Sequence, residues 1–160
     1  MTIDPSRAGR LEGDALDALL SPYWAGGYRE DEHFIDWIHI DGRTAKASCG
    51  MSRYYSSPTD SVFHLSVFNA TAFLCQIGIA HALFLSGRER KDLEAWLTDY
   101  TLLLPSKIRT PHPILIELHL VSHTVTPSEE QSSHYSFFRW DFVIDAKWRG
   151  FFGIAFPFAQ

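Results

Sequence analysis

From Phe63 to Leu85 the chain reads FHLSVFNATAFLCQIGIAHALFL, an apolar run broken by isolated polar residues. The stretch Val67–Leu85 predicts one long helix, with Phe68 or Asn69 at its entrance and Gly87 just past its end. A membrane span needs about 20 mostly apolar residues. This run carries Asn69, Thr71, Gln76 and His81 and is followed by Gly87 and Arg88. The expectation is therefore a buried helix of a globular domain, with no membrane. A helix apolar on nearly every face needs protein around it.

Elsewhere the dominant period is two. His33–Ile40 and Thr44–Met51 flank Asp41-Gly42, a hairpin signal. Ser61–Phe68 alternates and predicts a strand leading into the helix. Ile114–Thr126, Tyr135–Asp145 and Trp148–Phe158 predict long strands, and Leu102–Ile108 one broken by Pro105. Gly13–Leu20 has Leu16, Leu19 and Leu20 at helical spacing behind Asp14. Residues 23–28, YWAGGY, read as a turn, and residues 1–12 as a flexible terminus. Arg88–Asp99 reads as a surface helix or turn, with Leu93, Trp96 and Leu97 at helical spacing.

The layout is short helix, hairpin, long apolar helix, then long antiparallel strands. The α+β arrangement that fits is a hot-dog fold: a curved antiparallel sheet wrapped around the central helix. The chain has 160 residues, 46% of them hydrophobic, and shows no repeat or linker, so one domain spanning 1–160 is expected. A net charge of −5 argues against non-specific nucleic-acid binding. The polar N-terminus lacks a signal-peptide pattern, and Cys49 and Cys75 form no CxxC, so a cytoplasmic protein without a metal site is expected. No GxSxG or Walker motif is present, which disfavours serine-hydrolase and nucleotide-driven chemistry.

The run FNATAFLCQIGIAHALF at 68–84, Pro22-Tyr23 and SKIRTP at 106–111 together resemble the FcoT-like family of hot-dog thioesterases. The resemblance spans most of the chain from Leu20 onward. It implies a homo-oligomer acting on an acyl-CoA or acyl carrier protein thioester, with no cofactor. The family includes a glycine-adding branch in isonitrile lipopeptide and cremimycin-type macrolactam biosynthesis, which this chain resembles. That branch adds glycine to the β-carbon of an α,β-unsaturated acyl thioester. In the macrolactam case, hydrolysis then releases an N-carboxymethyl-3-amino fatty acid. A plain acyl-CoA or carrier-protein thioesterase, and a non-catalytic thioester-binding hot-dog protein, stay open as alternatives.

The candidate residues follow. Asn69, at the helix start, can donate to a thioester carbonyl where the helix dipole favours developing negative charge, or can simply cap the helix. Tyr23 matches the family's Pro-Tyr tyrosine and can donate to the carbonyl or hold a water, or merely pack in its turn. A further family tyrosine has Ser61 in its place. His64, five residues before Asn69, has the imidazole to take a proton from glycine or from water, or is a surface polar residue. Arg109 can hold glycine's carboxylate and Lys107 a phosphopantetheine phosphate, if alternation puts both on one strand face. The alternative is a solvated, charge-protected edge. Glu117 and His119 share a strand face as an acid/base pair or as plain surface residues, and His123 and Asp141 read as surface residues. His81 reads as a hydrogen-bonded core histidine and Cys75 as core. The phenylalanines line an acyl tunnel or fill the core, and a medium-length acyl chain is expected.

Overall fold

The computed structural model describes residues 30–57, 60–88, 90–91, 94–127 and 133–159. The predicted helix over Gly13–Leu20 and the turn carrying Tyr23 lie outside the described residues.

Strand β1 (Glu32–Asp41) turns through Gly42-Arg43 into β2 (Thr44–Arg53). Gly42 takes φ 51°, which glycine reaches without a Cβ clash. Helix α1 (Val67–Leu85) follows. Then come β3 (Trp96–Leu103), β4 (Ile114–Pro127), β5 (Ser133–Ile144) and β6 (Trp148–Ala159). The strands form one six-stranded antiparallel sheet in the order β1-β2-β4-β5-β6-β3. The chain thus leaves β2 near one edge, runs through α1, and re-enters at the far edge as β3. The fold is α+β, one helix packed on an antiparallel sheet, an arrangement compatible with a hot-dog-like fold.

Period-two patterning sets the core. Ala45, Ala47, Cys49 and Met51 of β2 face inward with Ile114, Ile116, Leu118 and Leu120 of β4. Phe138, Trp140, Phe142 and Ile144 continue the layer on β5. The helix lays Ala70, Phe73, Leu74, Ile77 and Ala82 on it. At Gly78 an added Cβ would stand 2.9 Å from the buried Phe152 ring, so glycine lets helix and sheet approach closely. Of the phenylalanines expected to line a tunnel or fill the core, Phe138, Phe152 and Phe156 are buried. Phe138, Trp140 and Phe152 stack in sequence, at 5.7 Å and then 5.1 Å between centroids, with Phe156 edge-on to Phe138.

Three expectations need correction. The sheet covers one face of α1 rather than enclosing it: Phe68 is 67% and Phe84 63% exposed. By length and composition α1 passes for a membrane span. Ser61–Phe68 is not a strand. The segment closes on itself, Ser57 N–H donating to Val62 O (3.1 Å) and Ser61 N–H to Ser57 O (2.8 Å), with Ser61 at φ 55°. Its alternation is nonetheless real in burial, since Phe63 and Leu65 point inward. Finally, the helix or turn expected over Arg88–Asp99 gives way from Trp96 to the edge strand β3, which ends at Leu103, short of the strand expected over Leu102–Ile108, because β6 supplies a pairing partner through Tyr100↔Phe152 and its neighbours.

Candidate active site

The first turn of α1 is built around Ser66. Its side chain accepts the Asn69 N–H (3.1 Å), so Ser66, not Asn69 or Phe68, is the cap. Asn69 is released from capping, and its amide turns toward the strand opposite. Its Nδ2 donates to Asp31 Oδ2 (3.0 Å), and its Oδ1 lies 2.9 Å from His33 Nε2. Asp31 uses its other oxygen to accept the Tyr55 N–H (3.0 Å). Asn69 is only 6% exposed, so these partners satisfy a buried amide. An amide has two N–H groups, which leaves one beyond the Asp31 bond.

One helical turn further on, Ala72, Phe73 and Gln76 face His33, Phe34 and Ile35 of β1 across a cleft of about 320 Å³. The His33 ring stands edge-on to Phe73, centroids 5.2 Å apart. The N-terminal end of α1 therefore joins a polar network to an apolar cleft, as ligand sites commonly do. A second, apolar cavity of about 220 Å³ lies at the other end of the helix, lined by Ala82, Leu83, Phe138 and Phe156 among others.

The remaining predicted site residues gather elsewhere, around Asp60. His64 Nε2 lies 3.0 Å from Asp60 Oδ2, out of hydrogen-bond alignment. Arg109 approaches the same oxygen at 3.6 Å and is 57% exposed. Burial pushes the Asp60 carboxyl up. Hydrogen bonds from Val62 N–H and Ser57, with the charges of His64 and Lys107, outweigh this and hold it below its ordinary value. Lys107 and Arg109 lie on no strand: β3 ends at Leu103, and residues 104–113 form a loop with prolines at 105, 111 and 113. They flank the buried Ile108, whose carbonyl accepts the Leu65 N–H (2.9 Å), and this bond brings the basic loop beside His64. Tyr23 lies outside the described residues.

His81 is sealed in the core, as expected. Its Nε2 donates to Gly42 O (2.9 Å) and its Nδ1 accepts from Trp140 Nε1 (3.1 Å). Burial raises the Cys75 thiol, which disfavours a thiolate nucleophile there. Glu117 pairs with Lys46 (3.2 Å) on the outer sheet face. Asp31 and His33 escaped the sequence reading. Their partner Asn69 is 38 and 36 residues away, and no local pattern marks them.

Among the described residues no His, Cys, Asp and Glu group is arranged to hold a metal. Comparison with known protein families and with curated proteins finds no match to this chain.

Proposed function

We propose that this chain is a hot-dog enzyme of acyl thioesters. It adds glycine to the β-carbon of a medium-chain α,β-unsaturated acyl thioester and then hydrolyses the product. The observation that carries this reading is Asn69: a buried amide, held by Asp31 in the first turn of α1, one turn from an apolar cleft. Its remaining N–H, with the positive end of the helix dipole, suits a thioester oxygen that gains charge. Both steps build such charge, as an enolate during addition and as an oxyanion during hydrolysis. A cleft of about 320 Å³ suits a medium acyl tail better than a long one, since ligand pockets span about 300–1,000 Å³.

In the addition, the glycine amine forms a bond to C3 and the C2=C3 pair moves onto the carbonyl oxygen. A proton taken from nitrogen is returned to C2. In the hydrolysis, water supplies hydroxyl to C1 and a proton to the departing thiolate. Arg109, with Lys107 beside it, is the proposed carboxylate holder, and Tyr23 and His64 are the proposed proton handlers of the hydrolysis. The enzyme works as a homo-oligomer in the cytoplasm, on a CoA or carrier-protein thioester.

One observation favours a second reading. The Asp60 carboxylate already occupies the space before Arg109, which suits hydrolysis without glycine. Mass spectrometry of the protein with a medium-chain enoyl thioester and isotope-labelled glycine separates the cases. A free acid carrying the label is the expected product. Unlabelled acid alone would leave a plain thioesterase, and binding without turnover a thioester-binding protein.

A further inference from the structure

We propose that His33 is the catalytic base of this site and that Asp31 is a positioning residue that sets its tautomer. The proposal rests on the thioester reading above for the reaction, and on hydrogen-bond logic alone for the tautomer.

A carboxylate only accepts. Asp31 takes the Tyr55 backbone N–H on Oδ1 and therefore needs an N–H, not an oxygen, at Oδ2. This fixes the Asn69 amide with Nδ2 toward Asp31 and Oδ1 toward His33. An amide oxygen only accepts, so His33 Nε2, 2.9 Å away, must carry the hydrogen. In the neutral ring the lone pair then lies on Nδ1. No described residue hydrogen-bonds that atom, and the ring lines the cleft opposite Phe73 and Gln76. A base with a fixed free nitrogen at an apolar cleft is equipped to take a proton from the glycine ammonium and return it to C2 of the enolate. The ring ends neutral, the amine hydrogen ends on C2, and no further reactant is needed.

The chain of bonds makes a sharp test. In Asp31→Asn the new amide must keep its oxygen toward the Tyr55 N–H, which turns its NH2 toward Asn69. Asn69 then presents Oδ1 to residue 31 and Nδ2 to His33. The His33 Nε2 must now accept, and the hydrogen moves to Nδ1. Long-range 1H–15N NMR of the histidine rings, at about pH 8 where imidazole is neutral, reads the tautomer directly. The expected result is hydrogen on Nε2 in the wild type and on Nδ1 in the variant. With the inversion, glycine addition should fall by about 100-fold or more. The wild type alone, carrying hydrogen on Nδ1, would overturn the proposal, so the test survives a variant that fails to fold. An unchanged tautomer in Asp31→Asn would overturn the role of Asp31. Inversion with an undiminished addition rate would overturn His33 as base while leaving the thioester reading intact. Inversion in a protein that turns over no enoyl thioester would instead sink the thioester reading and the base role, and leave the positioning by Asp31 standing.

Discussion

Each end of α1 meets the sheet at a histidine, His81 carried by the helix and His33 by β1, and the contrast between them separates structure from chemistry. Near the C-terminal end His81 is 0% exposed and both of its nitrogens are used, one by Gly42 O and one by the Trp140 indole. It ties hairpin, helix and β5 together and has nothing left to offer a substrate. Near the N-terminal end His33 meets an oxygen through the same nitrogen, Nε2, but its second nitrogen has no partner among the described residues and the ring faces a cleft. A buried imidazole with both nitrogens bonded is a rivet. The exposed His33, with one bonded nitrogen beside a cleft, has the open nitrogen that the proposed base requires.

The strongest way to break this contrast is to remove the rivet. His81→Ala opens a cavity and strands the Trp140 indole N–H and the Gly42 carbonyl, and should cost about 2–4 kcal/mol of stability in urea unfolding. A loss below that of an exposed residue would show that His81 is no rivet. Trp140→Phe keeps most of the ring packing and leaves His81 Nδ1 unpaired, so about 1–2 kcal/mol is expected. Ser66→Ala removes the cap without touching the Asp31–Asn69–His33 bonds. It should cost about 1 kcal/mol and leave the His33 tautomer unchanged. An altered tautomer would mean that cap and network are one unit.

A third histidine sharpens the comparison at the surface. His112 Nε2 and Ser48 Oγ each lie 2.8 Å from Asp36 Oδ2 and hold that carboxyl below its ordinary value. A depressed carboxyl stabilises the fold above its unfolded value, near about 3.9, and the contribution is lost as pH falls through the lower folded value. His112→Ala should flatten this acid limb of the stability profile slightly, the smallest effect of the set. An unchanged limb would remove His112 from the linkage.

The sequence exposed some of this architecture and hid the rest for physical reasons. The hairpin, α1 and the long strands were legible because turn chemistry and hydrophobic period are local. Ser61–Phe68 showed the alternation of a strand, yet its hydrogen bonds go to a local turn and to Ile108 rather than to a neighbouring strand. The first half of the edge strand β3 was read as helix or turn, and its end as the start of a strand over Leu102–Ile108, because its pairing partner β6 lies some fifty residues on. The site divided similarly. Asn69 was legible as the polar residue at a helix start, but its role as cap belongs to Ser66. His64, Lys107 and Arg109 were legible as charges, but not their convergence on Asp60. Asp31 and His33 enter through contacts across more than thirty residues, which no spacing rule can see.

The most direct test of the claim that chemistry resides at the N-terminal end of α1 is the rate of labelled-glycine incorporation by His33→Gln. It should be measured beside the wild type, with both melting curves recorded. A rate lower by about 100-fold or more, at a melting temperature close to the wild type, is the expected result. Equal rates at equal stability would contradict the account and move the base elsewhere, with His64 and Tyr23 next in line.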